Sequence, residues 1–189
     1  THTTTVDCGF SGADLDSLGL TEENARPDST GDIAAVCTYG HAGTYTVTMT
    51  VTDDGGASDV QTLEVEVSNV APTAAAIADI TTDEQDASFS TTFTDPSWLD
   101  AHTVDVAIEC QTPEVCGTTA NNGNVYDQAA FDANGVVTLT EENARPDSTG
   151  EVTATAKVAV GVYAVTVTVT DDVGDSDSVS FTLTVRDDF

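Results

Sequence analysis

The side chains best placed to do chemistry are acids. Glu22, Glu23 and Asp28 with Asp53 and Asp54 form one set, Glu141, Glu142 and Asp147 with Asp171 and Asp172 form a matching one, and Asp95 and Asp100 bracket a further turn. Carboxylates gathered from several turns suit a hard divalent cation, since calcium takes about six to eight oxygens at about 2.3–2.6 Å. Ca2+ is the expected cofactor on that ground. The competing reading is that these are solvated turn residues, with Arg26 and Arg145 forming local ion pairs of the weak, exposed kind. Catalysis is not expected. His2 and His102 stand at equivalent places beside threonines and His41 lies in a turn, but no nucleophile, base and orienting group can be assembled around any of them. Trp98 and Tyr126 could stack on a sugar, although a single loop aromatic more often caps packing.

The elements that must position these acids are strands. Tyr45, Val47, Met49 and Val51 alternate with threonines, and the same pattern returns from Tyr163 to Thr170. Each run has one apolar and one hydroxylic face, as a half-buried strand requires. Each is followed by an acidic turn, Asp53-Asp54-Gly55-Gly56 or Asp171-Asp172-Val173-Gly174, and by a second alternating run, so two β-hairpins are expected. Leu63, Val65 and Val67 face inward in the first, and Phe181, Leu183 and Val185 in the second. Thr1 to Phe10 and His102 to Cys110 read as strands that repeat one another. Ala74–Ile80 and Ala87–Thr94 read as two more, with Phe89, Thr91 and Phe93 in phase. Ser11–Ser17 reads as a polar loop. The twelve-residue string Leu20 to Gly31 recurs unchanged as Leu139 to Gly150, and its Arg-Pro-Asp signals a turn.

The duplication divides the chain into 1–69 and 70–189, the second carrying an insertion at 111–135 that is rich in Asn, Gly and Thr and is expected to be surface loop. The segment from Val70 to Ala101 has no counterpart before Thr1. The first domain therefore lacks its opening strands, which leaves unpaired backbone and an open core. Upstream chain or a neighbouring subunit is expected to complete it, and the chain beginning at Thr1 reads as processed or as part of something longer.

With 33 acidic against 4 basic residues, the formal net charge is −29. Phosphate binding needs Lys and Arg, so nucleic acid is excluded as a partner. Bound cations, a high-salt environment or a merely soluble surface remain as ways to tolerate such self-repulsion. No apolar run is long enough to span a bilayer. Four cysteines in a small Thr-rich β protein read as disulfides formed in an oxidising compartment. Cys8 is in phase with Val6, and Cys37 with Ile33 and Tyr39, so Cys8–Cys37 is the expected pair, and Cys110 and Cys116 could close a small loop around Pro113. Four free buried thiols are the alternative; a zinc site lacks the spacing.

The string from Gly43 to Gly56, followed by Asn69-Val-Ala-Pro-Thr73, resembles the end of one PKD-type (polycystic-kidney-disease-like) repeat and the start of the next. Phe93 to Thr103 is similar to the second strand and loop of tandem bacterial and archaeal PKD repeats. The family's usual Trp-Asp-Phe-Gly-Asp-Gly segment is replaced by Val6-Asp-Cys-Gly-Phe10 and by Ala107-Ile-Glu-Cys110. The resemblance implies two tandem immunoglobulin-like β-sandwiches of an extracellular or cell-surface protein, all-β, used as spacer, adhesion or accessory modules, with calcium held near domain junctions in some members.

In such a sandwich the loops gather at the two ends. Asp95, Asp100, Glu141, Glu142, Asp147, Asp171 and Asp172 are then expected to converge, with Asn69 of the linker, at the junction between domains. Glu22, Glu23, Asp28, Asp53 and Asp54 offer the matching end of the first domain. The function expected is that of a non-enzymatic structural protein, calcium-stabilised and assembling head-to-tail with copies of itself into a filament, stalk or surface layer through its ends and by strand complementation. The alternative is an adhesion or carbohydrate- or protein-binding accessory module of a larger secreted protein.

Overall fold

The computed structural model describes residues 1–26, 28–83, 86–112 and 127–187. It divides into two compact units, Thr1–Asn69 and Val70–Phe189. Among the described residues no helix is long and apolar enough to cross a membrane.

Unit 1 contains β1 (His2–Asp7), β2 (Asp14–Asn24), β3 (Ser29–Thr38), β4 (Gly43–Asp53) and β5 (Ser58–Val67). They form a three-stranded sheet, β1-β4-β5, and a two-stranded one, β2-β3. The Thr/apolar alternation of β4 turns Tyr45 and Val47 inward, where both are buried. The Tyr45 hydroxyl donates to the carbonyl of His41 at 2.7 Å, the tyrosine-corner bond of immunoglobulin-like sandwiches. Cys8, just past β1, is bonded to Cys37 of β3 with a Cα–Cα distance of 5.9 Å, so a covalent link ties one sheet to the other.

Unit 2 contains β6 (Thr73–Ala74), β7 (Ile80–Thr82), β8 (Asp86–Asp95), β9 (Thr103–Cys110), the helix α1 (Gln128–Asn134), β10 (Val136–Ala144), β11 (Asp147–Lys157), β12 (Gly161–Thr170) and β13 (Ser176–Val185). Two four-stranded sheets, β10-β11-β8-β6 and β7-β13-β12-β9, enclose the core. Val165, Val167 and Val169 of β12 are fully buried. On the other face Thr166 and Thr168 make 2.8 Å hydroxyl contacts with Ser180 and Ser178 of β13. Both faces of the alternating run are thus used. Tyr163 repeats the corner bond, donating to the carbonyl of Ala159 at 2.9 Å. The strands β9 to β13 reproduce β1 to β5 in order and pairing. Among the described residues of unit 1, nothing corresponds to β6, β7 and β8. The fold is all-β, two tandem immunoglobulin-like sandwiches, the first without its opening strands.

Four local expectations are corrected. The region read as one strand, Ala74–Ile80, is split: β6 pairs with β8 in one sheet, and β7 runs parallel to β13 in the other. At the crossover, side chains take over from ladder bonds, Asp177 accepting from the amide of Ala74 at 2.9 Å and Asp79 from that of Thr182 at 2.7 Å. The repeated string, in which only a turn is expected, is mostly strand: in both copies its two halves pair antiparallel, because cross-strand pairing overrides the weak β-propensity of Glu-Glu-Asn. Ser11–Ser17 is loop only at its start, since β2 begins at Asp14. The insertion at 111–135 holds the helix α1, capped by the Asp127 carboxylate on the Ala130 amide at 2.8 Å, and Phe131 is buried in the core. Residues 113–126, with Cys116 and Tyr126, lie outside the described residues; Cys110 is disulfide-bonded.

Candidate metal centre

Strand parity sets the first ligand candidate. In β8 the residues Ala87, Phe89, Thr91 and Phe93 point inward, and the next in phase is Asp95. Its carboxylate is fully buried, at 0% exposure. The chain then turns sharply, with Asp95 Oδ1 accepting from the amide of Ser97 at 2.6 Å, an Asx-type turn. The Asp100 amide donates to the Ser97 carbonyl at 3.2 Å, and the same carbonyl accepts from the Ser148 hydroxyl at 3.1 Å. This short loop carries Asp100 back into the unit, also at 0% exposure. Trp98 of the same loop is 8% exposed, with the Arg145 guanidinium 5.4 Å from its ring centroid.

The third acid opens the β12–β13 turn. Asp171 Oδ1 accepts from the amides of Val173, Gly174 and Asp175 at 3.0, 2.7 and 2.9 Å. Gly174 sits at φ +107°, where a side chain would be strained, so the turn is shaped for these bonds. Asp171 is only 4% exposed. One oxygen from each of Asp95, Asp100 and Asp171 lies within 4.8 Å of the other two.

His102 links the acids to Glu141. Its Nε2 is 3.1 Å from Asp95 Oδ2 and its Nδ1 is 2.6 Å from Glu141 Oε1. Burial opposes protonation of the ring, but the hydrogen bonds to Glu141 and Asp95, helped by their charges, outweigh it and raise its pKa above the ordinary histidine value. Even a protonated His102 would not balance three ionised carboxylates. With oxygens no more than 4.8 Å apart and an effective dielectric of about 20, each pair of ionised carboxylates would repel by at least roughly 3.5 kcal/mol. Three such pairs, when ionised, would be relieved by a bound cation, and an all-carboxylate donor set is the kind that suits a hard, oxygen-seeking one.

The other acids are placed differently. Glu141 reaches the site as the partner of His102. Glu142 alternates to the exposed face of β10, and Asp147 and Asp172 are exposed at their turns. Asn69 ends unit 1 and is half-buried. In unit 1, Glu22 repeats the role of Glu141, 2.5 Å from Nδ1 of His2, and that hydrogen bond holds its carboxyl below the usual value despite opposing desolvation. Asp53 repeats Asp171, its Oδ1 accepting from the amides of Gly55 and Ala57 at 2.9 and 2.8 Å. Glu23, Asp28 and Asp54 are exposed. Unit 1 therefore carries one of the three acids of the centre. The histidine–glutamate pair escapes the sequence reading, yet a signal for it existed: His2 opens β1 and His102 immediately precedes its counterpart β9, and both partners come from the repeated string.

The sequence matches no protein-family model and no curated protein. Among solved structures it is similar to the fibronectin(III)-like modules of Clostridium thermocellum CbhA, at 12% identity and a TM-score of 0.34, with 98% of this chain and 86% of that one covered. It is also similar to the C-terminal domain of the Streptococcus agalactiae AgI/II polypeptide BspA, at 6% identity and a TM-score of 0.31, covering 97% and 83%. At such scores the sandwich assignment rests on strand order and pairing alone.

Proposed function

We propose that the chain is a non-enzymatic structural module of an extracellular, PKD-type β-sandwich protein, whose second unit is locked by a divalent cation held by Asp95, Asp100 and Asp171, and which repeats head-to-tail in a filament, stalk or surface layer. The observation that carries this is the convergence of three buried carboxylates from two separate turns. Calcium is the ion that such oxygen donors suit. A disulfide joining two sheets fits an oxidising compartment. The accessory-module reading needs an exposed aromatic platform, and Trp98 at 8% exposure does not offer one.

The test is thermal unfolding of unit 2, followed by Trp98 fluorescence, in calcium and in chelator. With calcium at about a hundred times its dissociation constant, the transition rises by on the order of 10 °C. Asp171→Asn keeps an oxygen for the three turn amides but removes a charge, so it abolishes the calcium response. A transition indifferent to calcium and chelator would sink the reading. Electron microscopy of the same samples tests assembly separately, through filaments or sheets that loosen on chelation.

A further inference from the structure

The two units act as an internal comparison, one with β8 and one without. In unit 2, β8 runs antiparallel along the outer edge of β11, from Ser148↔Asp95 to Lys157↔Asp86. The corresponding edge of β3 in unit 1 has no partner strand among the described residues. The core behind it is correspondingly open. Leu63 is 55% exposed, whereas Phe181, at the same register position opposite the central strand, is 5% exposed. The difference has a visible cause, since Phe181 is covered by Phe89 of β8 with ring centroids 5.0 Å apart.

A second socket lies toward the end of the groove. A pocket of ≈ 150 Å³ is bordered by His2, Leu20, Glu22, Gly31, Ile33 and Val51. A cavity of about that size takes a benzene ring. The equivalent residues of unit 2 include His102, Glu141 and Gly150, and there Phe93 sits 4.7 Å from the His102 ring and so close over Gly150 that a Cβ would fall 2.2 Å from its Cε1. Two residues on, Asp95 meets Nε2 of His102. His2 makes the glutamate half of that pair, while unit 1 has no counterpart of Asp95 among its described residues.

We propose that the β3 edge and the groove behind it are an acceptor site for one antiparallel β-strand with the chemistry of residues 86–95, namely Ala, Phe, Thr, Phe and Asp on alternate positions. Its first phenylalanine covers Leu63, its second fills the pocket over Gly31, and its aspartate meets His2. The donor is a strand from a further repeat of this kind. A second copy of the chain is a poorer donor, because its own β8 is held between β11 and β6 and would have to be pulled out. Main-chain pairing supplies affinity in such an addition, and the alternate side chains supply specificity. The inference does not depend on the cation.

The full chain is mixed, in chelator, with a synthetic peptide of sequence Asp-Ala-Ser-Phe-Ser-Thr-Thr-Phe-Thr-Asp, and hydrogen exchange of the β3 amides is followed with peptide binding measured by anisotropy. The expected result is saturable protection of Ser29–Thr38 and loss of affinity by roughly a hundredfold when the second peptide phenylalanine is replaced by alanine. No protection at about millimolar peptide, well above the affinity such a contact needs, overturns the proposal. So does equal binding of a scrambled peptide. Protection of β3 that rises with the concentration of the chain alone, and that the peptide does not displace, also overturns it and assigns the groove to a second copy.

Discussion

Removing the Cys8–Cys37 bridge should unfold unit 1 selectively. The two sheets of that unit face one another across an open groove, and the bridge is the covalent link between them. Its sequence separation is 29, and the chain-entropy relation for a loop of that length gives about 3.5 kcal/mol at 25 °C. For a domain of this size that corresponds to roughly 15–25 °C in Tm. The loss weighs heavily because Leu63 and Val36, at 55% and 54% exposure, contribute little burial. The perturbation is the double variant Cys8→Ala/Cys37→Ala, which spares Cys110, where a reductant would not. The sole tryptophan, Trp98, belongs to unit 2, while Tyr39 and Tyr45 are stacked in unit 1 with centroids 4.4 Å apart. Tyrosine near-UV circular dichroism should therefore show a transition that moves down, while the Trp98 fluorescence transition stays in place. If the tyrosine transition does not move, or if the Trp98 transition falls by the same amount, the reasoning fails.

Three further outcomes follow from unit 2. Burial pushes the Tyr163 hydroxyl up to about 12 from its ordinary value of 10.0; because the folded value is the higher one, its contribution is complete below pH 10 and is lost as pH rises toward 12, by about 2–3 kcal/mol. Tyr163→Phe should flatten that alkaline decline in urea titrations and cost about 1 kcal/mol at neutral pH through the lost bond to Ala159. Gly150→Ala puts a methyl into the Phe93 ring and should cost about 1–3 kcal/mol, and the double variant with Phe93→Ala should be clearly non-additive in a mutant cycle. Phe131→Ala should destabilise unit 2 by about 3–5 kcal/mol in the same titrations, a loss that an insertion lying wholly on the surface would not produce.

Much of this was legible because strand parity is a strict rule. Once Phe89, Thr91 and Phe93 are read as one face, the interior of β8 follows, and Cys8 falls opposite Cys37 by the same logic. Parity also placed Asp95 inside, although the sequence reading treated it as a turn acid. What escaped depends on long-range pairing. Glu22 and Glu141 look like members of acidic pairs, and only their strand register separates them from Glu23 and Glu142. The helix α1 is short, and Ala129 and Ala130 were outweighed by the surrounding Asn and Gly; Asp127 followed by the Gly135 stop was the signal that marked it.

The same twelve residues occur in both units, so differences between the units cannot come from that string. In each copy the second glutamate and the aspartate after proline face solvent, and the first glutamate turns inward onto a histidine. Most of the −29 charge is accordingly a property of outward faces, where salt screens it within about 8–10 Å. The three buried acids of unit 2 are shielded from that screening. High salt and a divalent cation therefore act on different parts of the molecule. Salt quiets the surface of both units, while a cation held by Asp95, Asp100 and Asp171 would act on the buried set. Among its described residues unit 1 holds a single acid of that set and a β3 edge without a partner strand, so the two units differ in strand pairing as well as in buried charge.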